Sequence, residues 1–310
     1  MQSLDTVIIG GGPAGIAAGV YAARKKMNAV LVAESIGGSS AVSATIENWI
    51  GIETVSGWEL AQSLERHLRA QEGLEIVTGT KAVRIEEADG GYAVVTEDGN
   101  RYRTKTVIVA SGVRHRHLGV PGEEEFRGKG VVYCSTCDAP FFKGKRVAVI
   151  GGGNSGLEAV EDLFPYATEI MLLSDFDGLS GDPVLQEKVL ADSRVTAIYD
   201  ARTEEIVGEG RVEGIRYEDV TTGEKQEIGV DGVFVEIGMV PNSEFVDGFL
   251  DRNKRGEIVV DARNMTSSRE GIFAAGDVTD LPYRQNNIAA GEGAVAALAA
   301  YDFVRKGGKD

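Results

Sequence analysis

Cysteine and histidine are scarce in this chain, and their scarcity excludes two classes of protein. Among 310 residues there are two cysteines, Cys134 and Cys137, and three histidines. A small secreted disulfide scaffold would need more cysteines, spread along the chain. Two cysteines also cannot complete a four-ligand zinc site, so we expect no metal. The isolated Cys-x-x-Cys spacing indicates redox chemistry instead.

Basic residues and long apolar runs are also lacking. The chain has 32 Lys and Arg against 48 Asp and Glu, a formal net charge of −16, which argues against binding to nucleic acid. No apolar run reaches the roughly 18 to 20 residues that a membrane helix needs. A strand predicted from Thr6 leaves no space for a signal peptide. We therefore expect a cytoplasmic protein that binds neither nucleic acid nor membrane.

Glycine, by contrast, is abundant, with 41 residues, and the sequence contains two glycine-rich turns. The turn Gly10–Gly15 follows the apolar run Thr6–Ile9, and the turn Gly151–Gly156 follows the run Arg146–Ile150. Glycines at these positions permit a tight turn, a close approach of the backbone to pyrophosphate, and packing of helix on strand. The following helix N-terminus favours the anionic phosphates. The two turns therefore predict two dinucleotide sites.

Each turn lies in a repeated unit of strand, glycine turn, helix, strand and acid. The predicted helices are 14–26 and 155–167, and the second strands end at Glu34 and Asp175. An acid at this position accepts hydrogen bonds from ribose hydroxyls. The later predicted elements are hairpins around 97–100 and 221–224, strands at 107–112, 233–238, 256–260 and 271–277, and a helix at 288–305.

These patterns predict an α/β protein with two Rossmann-like dinucleotide-binding domains. Each is expected to have three layers around a parallel central sheet, with the second domain inserted into the first. The tail after Pro241 belongs to neither copy alone, and we place it back on the first domain. The expected boundaries are 1–113 with 242–310 for the discontinuous first domain, and 114–241 for the inserted second domain, which carries the Cys-x-x-Cys.

The dithiol is expected to be reactive. Cys134 and Cys137 at the start of a helix should have thiol pKa values below the usual range. Asp138 adjoins them and is placed to act as a general acid or base on a leaving thiolate. A flavin site, a hydride-donor site and a dithiol together indicate an electron relay to another disulfide.

In combination these motifs identify a family resemblance. The chain resembles low-molecular-weight thioredoxin reductases, and the related flavoprotein of alkyl hydroperoxide reductase, from about Asp5 to Val304. The resemblance implies that the discontinuous domain, 1–113 with 242–310, binds FAD and that the inserted domain, 114–241, is pyridine-nucleotide-like. It also implies a homodimer and a thioredoxin-like partner. Its markers are Gly10–Gly15, Glu34, Gly37-Gly38, Glu47-Asn48-Trp49, Cys134–Asp138, Gly151–Gly156, Gly276-Asp277 and Arg284-Gln285.

The resemblance also implies roles for single residues. Asp277 would contact the ribityl chain, and Asn48 and Gln285 the flavin region. Cys137 would face flavin C4a, while Cys134 would attack the partner disulfide. The expected cofactor-binding residues are Gly10, Gly12, Pro13, Ala14, Gly15, Glu34, Gly37, Gly38, Asn48, Gly276, Asp277, Arg284 and Gln285 for FAD, and Gly151, Gly153, Asn154, Ser155, Gly156 and Asp175 for the second nucleotide.

The sequence departs from typical thioredoxin reductases at two places. Ser39 replaces a glutamine that helps to hold the flavin. The arginine-rich cluster that holds the 2′-phosphate of NADPH is replaced by Ser174, Asp175, Phe176 and Ser180. We therefore expect NADH or reduced ferredoxin as electron donor, and not NADPH.

Two other functions remain open at this point. One is a flavin-binding redox sensor without turnover of any disulfide protein. The other is a flavin-dependent dithiol oxidase that passes electrons to oxygen, which peroxide formation would reveal.

Overall fold

The chain divides into two compact units. A computed structural model describes residues 4–43 and 46–307, apart from the side chains of Val42 and Cys137. The first unit comprises Met1–Arg114 and Val240–Asp310, and the second unit comprises His115–Met239.

The helices and strands follow the predicted alternation. The strands are β1 (Leu4–Ile9), β2 (Ala29–Ala33), β3 (Leu74–Thr78), β4 (Ala82–Ala88), β5 (Gly91–Thr96), β6 (Arg101–Val109), β7 (Val113–His115), β8 (Val131–Val132), β9 (Arg146–Ile150), β10 (Glu169–Leu173), β11 (Val195–Ile198), β12 (Ala201–Val207), β13 (Gly214–Asp219), β14 (Lys225–Gly229), β15 (Gly232–Val235), β16 (Met239–Pro241) and β17 (Ile272–Ala274). The helices are α1 (Pro13–Arg24), α2 (Gly57–Arg69), α3 (Ser135–Asp138), α4 (Asn154–Leu163), α5 (Pro183–Leu190) and α6 (Asn286–Arg305), with 3₁₀ turns at Ser39–Val42, Ala139–Phe142 and Glu244–Val246. None of the helices in the described ranges combines the length and apolar character needed to cross a bilayer.

The first unit is built on one mixed sheet. Strands β3, β2, β1 and β6 pair in parallel in that order, and β17 pairs in parallel with β6 on its other side. The nine-residue β6 also pairs antiparallel with β5 through its first half, so the β4–β5 hairpin extends the sheet. The parallel strands consequently end at one edge, where ligands bind in such sheets.

Both faces of this sheet are covered. On one face Ile8, Leu31 and Ile108 pack into a buried cluster with residues of α1 and α6. The side chains of neighbouring strand residues point to the opposite face, because strands alternate with a period of two. There Val7 and Val107 meet the β4–β5 hairpin and the Glu244–Val246 turn.

The second unit repeats this plan. Strands β11, β10, β9, β15 and β8 form a parallel sheet in that order, and β12, β13 and β14 form a separate antiparallel sheet. One face of the parallel sheet packs on α4, and the other packs towards β12 and β13. The predicted fold class, two Rossmann-like α/β domains, is confirmed.

Most predicted elements occur within a few residues of their expected bounds, but one strand does not form. Both predicted hairpins are present, between β5 and β6 and between β13 and β14. The strand expected at 256–260 is wrong, because only Ile258 pairs there, in isolated bridges to Arg252 and Thr279. The side chain of Asn253 accepts hydrogen bonds from the backbone N–H groups of Arg255 and Glu257, which closes a turn where the strand was expected.

Candidate functional site

A cavity of about 800 Å³ lies in the first unit, where β1, β2, β6 and β17 end. This volume is within the usual range of small-molecule and cofactor sites. Of the predicted cofactor residues it is lined by Gly10, Gly12, Pro13, Ala14, Glu34, Gly38, Gly276 and Asp277.

Three of the four glycines of the first turn, Gly10, Gly12 and Gly15, meet different surroundings. Gly10 has φ +120°, and a Cβ there would lie 2.1 Å from the carbonyl oxygen of Ala110. A Cβ on Gly15 would lie 1.9 Å from the carbonyl oxygen of Gly10, so this glycine lets α1 pack closely against the turn. A Cβ on Gly12 would meet no atom nearer than the Cα of Gly38, at 3.7 Å. Only the space beside Gly12 is therefore open to a ligand.

The N-terminus of α1 offers donors to that space. Gly12 is its N-cap residue and supplies no side-chain cap, Pro13 occupies the first turn, and no acidic side chain lies there. The first backbone N–H groups of a helix lack intrahelical partners and carry a partial positive charge. This twelve-residue helix is therefore suited to hold a pyrophosphate.

Carboxyl groups line the remaining parts of the cavity. Glu34 is exposed at the end of β2, where the ribose of a dinucleotide would lie. Asp277 is half-buried, and burial raises its pKa while Arg284 opposes the rise. The carboxylate of Glu292 accepts a hydrogen bond of 2.7 Å from the backbone N–H of Gly276, which fixes the turn that presents Asp277. This donor and acceptor set fits FAD.

Five predicted residues lie outside the cavity lining: Gly15, Gly37, Asn48, Arg284 and Gln285. The backbone N–H of Gly37 bonds the carbonyl of Gly11 at 2.8 Å, so Gly37 shapes the turn. Asn48 donates a hydrogen bond of 2.9 Å to the side chain of Gln285, so the structure brings these two together. Arg284 forms an ion pair with the buried Glu257.

Sequence reasoning missed several polar residues of the cavity. Lys81, Arg114, Asn242 and Glu244 all line it. Arg114 donates a hydrogen bond of 2.9 Å to the Asn242 side chain, and its pairing with Glu244 lowers the pKa of that carboxyl. These residues belong to no motif, and Asn242 and Glu244 reach the cavity only because the chain returns to the first unit at residue 240.

The second glycine turn repeats the geometry of the first. Gly151 has φ +133°, and a Cβ on Gly156 would lie 1.8 Å from the carbonyl oxygen of Gly151. Beside Gly153 the nearest atom to a Cβ is the Ser180 hydroxyl, at 3.8 Å. Gly153 is the N-cap residue of α4, which also lacks a side-chain cap. The second turn is therefore as open to a phosphate as the first.

The segment after β10 contacts this turn through its backbone and is rich in aspartate. The backbone N–H of Ser180 bonds the carbonyl of Gly152 at 2.8 Å, and the N–H of Asp182 bonds the side chain of Asn154 at 2.6 Å. Ser174 is buried, whereas Asp175 and Phe176 are exposed. The stretch 174–182 contains three aspartates and no Lys or Arg.

The dithiol lies in the second unit. Cys134 is half-buried, is disulfide-bonded, and is the N-cap residue of α3. The side chain of Cys137 lies outside the described residues. Burial raises the pKa of Asp138, which therefore keeps a proton to higher pH than an exposed aspartate. In the described part of the chain, no group of three or more His, Cys, Asp or Glu side chains could hold a metal ion.

Two further carboxyl groups, not anticipated from the sequence, lie beside the cysteine motif. Asp162 of α4 accepts hydrogen bonds from the hydroxyls of Ser135 at 2.8 Å and Thr136 at 3.0 Å. Glu236 directly follows β15, and burial is the main cause that raises its pKa to about 8, while the backbone N–H of Ser135 opposes the rise. The one sequence signal for Glu236 is an acid within the apolar run 233–237.

Comparison with protein families and curated proteins gives one consistent result. A family model described as pyridine nucleotide-disulphide oxidoreductase matches residues 4–297. The chain is 45% identical over 306 residues to the alkyl hydroperoxide reductase F protein of Pseudomonas putida, and 44% identical over 303 residues to a Bacillus subtilis protein named NADH dehydrogenase. The alignments cover 98% of this chain but 58% and 59% of those proteins. The chain thus spans about three fifths of the length of these relatives.

Similar solved structures are thioredoxin reductases. The enzyme of Lactococcus lactis, in its FR conformation, matches with a TM-score of 0.81 at 35% identity. That of T. acidophilum matches with a TM-score of 0.79 at 37% identity. Each alignment covers 98% of this chain and 100% of the other.

Proposed function

We propose that this chain, which belongs to the pyridine nucleotide-disulphide oxidoreductase family, is an FAD-dependent dithiol–disulfide oxidoreductase that reduces a thioredoxin-like protein with electrons from NADH. The observation that carries the proposal is the pair of open glycine turns, one per unit, together with the disulfide-bonded Cys134 in the second unit. Two nucleotide sites and a redox-active disulfide are the parts that such a relay requires.

The first unit is assigned to FAD. The uncapped N-terminus of α1 and the open backbone at Gly12 would hold the pyrophosphate. Glu34 would accept hydrogen bonds from ribose hydroxyls, and Asp277 would contact the ribityl chain. Bound FAD would supply the two-electron chemistry that links a reduced nucleotide to a disulfide.

The second unit is assigned to the exchange reaction. The thiolate of Cys134 attacks one sulfur of the partner disulfide, forms a mixed disulfide and releases a partner thiolate. Asp138, whose raised pKa lets it hold a proton, protonates that leaving thiolate. Cys137 then attacks Cys134, which releases the partner as a dithiol and restores the disulfide of this chain.

The donor is assigned from the charge around the second turn. A 2′-phosphate is usually met by arginine, and the segment 174–182 offers none. Asp175 at the end of β10 suits the free ribose hydroxyls of NADH instead. A relative at 44% identity carries the name NADH dehydrogenase, which agrees with this choice. Reduced ferredoxin is the second candidate. With ferredoxin as donor no nucleotide would use the second site, so the segment 174–182 would need no cation for a phosphate.

The partner and the assembly are assigned from similarity. The solved structures named thioredoxin reductase, and relatives named for alkyl hydroperoxide reduction, support a small dithiol protein as acceptor. We propose a homodimer on the family resemblance alone.

Single serine substitutions of the two cysteines test the exchange reaction. Cys137→Ser should trap a thioredoxin-like protein as a mixed disulfide through Cys134, because no resolving thiol remains. Cys134→Ser should trap none, because the attacking thiol is missing. Both variants should lose turnover, and mass spectrometry of the adducts distinguishes them.

The outcomes separate the proposal from its rivals. Reversed trapping would mean that the two cysteine roles are exchanged. Wild-type turnover in either variant would rule out the dithiol relay. A yellow protein that reduces no disulfide protein with any donor would be a redox sensor, and stoichiometric peroxide from a dithiol substrate would indicate an oxidase.

A further inference from the structure

The two residues between the cysteines, Ser135 and Thr136, are held by one carboxylate. The Ser135 hydroxyl donates a hydrogen bond of 2.8 Å to Oδ2 of Asp162, and the Thr136 hydroxyl donates one of 3.0 Å to the same oxygen. Asp162 lies on α4, so it fixes the interior of the cysteine motif from a neighbouring element. These hydrogen bonds are present while Cys134 is disulfide-bonded.

The residue before Cys134 is fixed as well. The Tyr133 hydroxyl donates a hydrogen bond of 2.7 Å to the carboxylate of Glu123, a residue that is only 3% exposed. Glu123 also accepts hydrogen bonds of 2.9 and 2.7 Å from two backbone N–H groups of its own loop. Side chains on both sides of Cys134 are therefore anchored, which restrains its backbone relative to Asp162.

Apolar packing seats this segment on α4 independently of Asp162. Ala139 and Phe142, in the 3₁₀ turn that follows α3, are buried in one cluster with Leu157 and Leu163 of α4. The fold around the motif should therefore survive a conservative change at Asp162, and the effect of its charge can be measured by itself.

Several other acids lie on the elements around the cysteine motif. They are Asp138 at the end of α3, Glu158 and Glu161 on α4, and Glu236 after β15. On α4, Glu158 is exposed to solvent and Glu161 forms an ion pair with Lys188. The charge that α4 ties to the residues between the cysteines is therefore that of Asp162.

We propose that Asp162 is a positioning residue of the redox dithiol, whose anchored negative charge disfavours the Cys134 thiolate and so favours the disulfide. This inference rests on the proposed role of Cys134 as the attacking thiol. A nearby carboxylate favours the protonated form of a thiol. A dithiol whose reduced form is destabilised gives up its electrons more readily. Asp162 thus adapts the motif to reduce a partner disulfide rather than to oxidise a partner dithiol.

The first measurement is the acidity of Cys134 in the full-length Cys137→Ser protein, where Cys134 is the only cysteine. Iodoacetamide rates from about pH 6 to pH 10 are compared with and without Asp162→Asn. Asparagine keeps the shape of the side chain and an oxygen that can accept both hydroxyl hydrogen bonds. Loss of the charge should raise the acid dissociation constant of the thiol about fivefold, which moves the midpoint of the rate profile to lower pH.

The second measurement is the equilibrium of the holoenzyme, with both cysteines present, against dithiothreitol under argon. Two electrons and two protons pass from the reagent to the protein disulfide, which gives the protein dithiol and the cyclic disulfide of the reagent. Acid quenching, alkylation and mass spectrometry count the protein thiols. At about pH 9 Asp162→Asn should raise the equilibrium constant for reduction of the protein about fourfold, or about 18 mV. At about pH 6 the two proteins should agree, because the thiols are protonated in both.

The matched control is Glu161→Gln, which removes a negative charge from the adjacent position of α4, where the partner is Lys188. Its thiol acidity and its equilibrium constant should stay close to those of the parent protein. Unchanged values in Asp162→Asn would overturn the inference, as would an equal shift in the control. A shift in the opposite direction would mean that the carboxylate stabilises the thiolate, and would overturn it too.

Neither measurement requires turnover. A protein that reduces no thioredoxin-like protein but shows both Asp162-dependent shifts would refute the proposed function and support the inference. An active enzyme in which Asp162→Asn changes neither constant would refute the inference alone.

Discussion

Gly12 and Gly15 are three positions apart, yet a side chain would disrupt the fold at one position and block the ligand site at the other. At Gly15 it would collide with the backbone of the turn itself, and at Gly12 it would point into the open cavity. A substitution at Gly15 therefore tests what the fold requires, whereas a substitution at Gly12 tests what the ligand requires.

We expect Gly12→Val to fold but to lose FAD, because its side chain would occupy the approach of the pyrophosphate. Gly12 already has an extended backbone that valine adopts readily. Flavin absorbance per mole of protein and a circular dichroism spectrum measure the two effects. The matched control is Gly153→Val, the same change in the second turn, which should keep FAD and lose reduction by NADH. Full flavin content in Gly12→Val would contradict the assignment of the first cavity.

Asp175 allows a prediction about the donor. A carboxylate about 4 Å from a phosphate costs roughly 1 kcal/mol per charge pair in water and more where water is excluded. Stopped-flow bleaching of the flavin under argon should therefore show NADPH to be about tenfold or more slower than the better of NADH and reduced ferredoxin. Asp175→Arg combined with Phe176→Arg should partly restore NADPH use. NADPH as fast as either rival would remove the basis of the proposal.

For single residues, the sequence predicts those whose role depends only on their immediate neighbours along the chain. The glycines and Glu34 have a fixed spacing from their strand, so their positions follow from the motif alone. Arg114 and Glu292 could not be predicted, since each acts on a residue more than ten positions away. The raised pKa of Glu236 could not be predicted either, because it results mainly from burial, which the sequence around one residue does not reveal.

At the scale of elements, the helix pair α1 and α6 supports the FAD cavity. A Cβ on Gly293 of α6 would lie 2.0 Å from the carbonyl oxygen of Ala14, which lines the cavity. The small residues along α6 are visible in the sequence, but the sequence does not reveal that the helix packs on α1.

The strand predicted at 256–260 fails for a related reason, because the apolar pattern does not show which hydrogen bonds the backbone makes. The Asn253 side chain accepts hydrogen bonds from the N–H groups of Arg255 and Glu257, and a turn forms instead.

We expect Gly293→Ala to lower the free energy of unfolding by about 1–3 kcal/mol, because the added methyl overpacks the α1 contact. It should also weaken FAD binding through the displacement of Ala14. The control is Gly291→Ala on the same helix, where a Cβ meets nothing within 4 Å. That change should be neutral or stabilising by up to about 1 kcal/mol, since alanine favours helix. Denaturant unfolding and flavin content are measured for both variants. If Gly293→Ala and Gly291→Ala changed stability and flavin content equally, α6 would not support the cavity.

Across the whole molecule, negative charge is unevenly distributed. Residues 115–239 contain 24 acidic and 12 basic residues, whereas the remainder contains 24 and 20. The unit that carries the cysteines is therefore the more acidic. A surplus of one charge steers oppositely charged partners and repels like-charged ones over a distance set by salt.

We expect reduction of a dianionic aromatic disulfide, such as dithiobis(nitrobenzoate), to accelerate when ionic strength rises from about 0.01 to 0.15 M, because the repulsion is screened. A neutral disulfide, such as hydroxyethyl disulfide, should show little change. Rate constants for the second-order reaction at each salt concentration provide the measurement. Slowing of the anionic substrate by salt would indicate a positive surface around the dithiol.

The first unit is made from two stretches of chain with the whole second unit between them. Until α6 has been synthesised, the sheet face that includes Ile8, Leu31 and Ile108 is covered by α1 but lacks the part of its cover that α6 provides. A ribosome that adds about 5–20 residues per second needs roughly 10–40 s to pass from Arg114 to the end of α6 at Arg305. During translation the nascent protein therefore exposes an unfinished apolar surface while its middle portion can already fold, which makes the amino-terminal stretch the natural client of a holding chaperone.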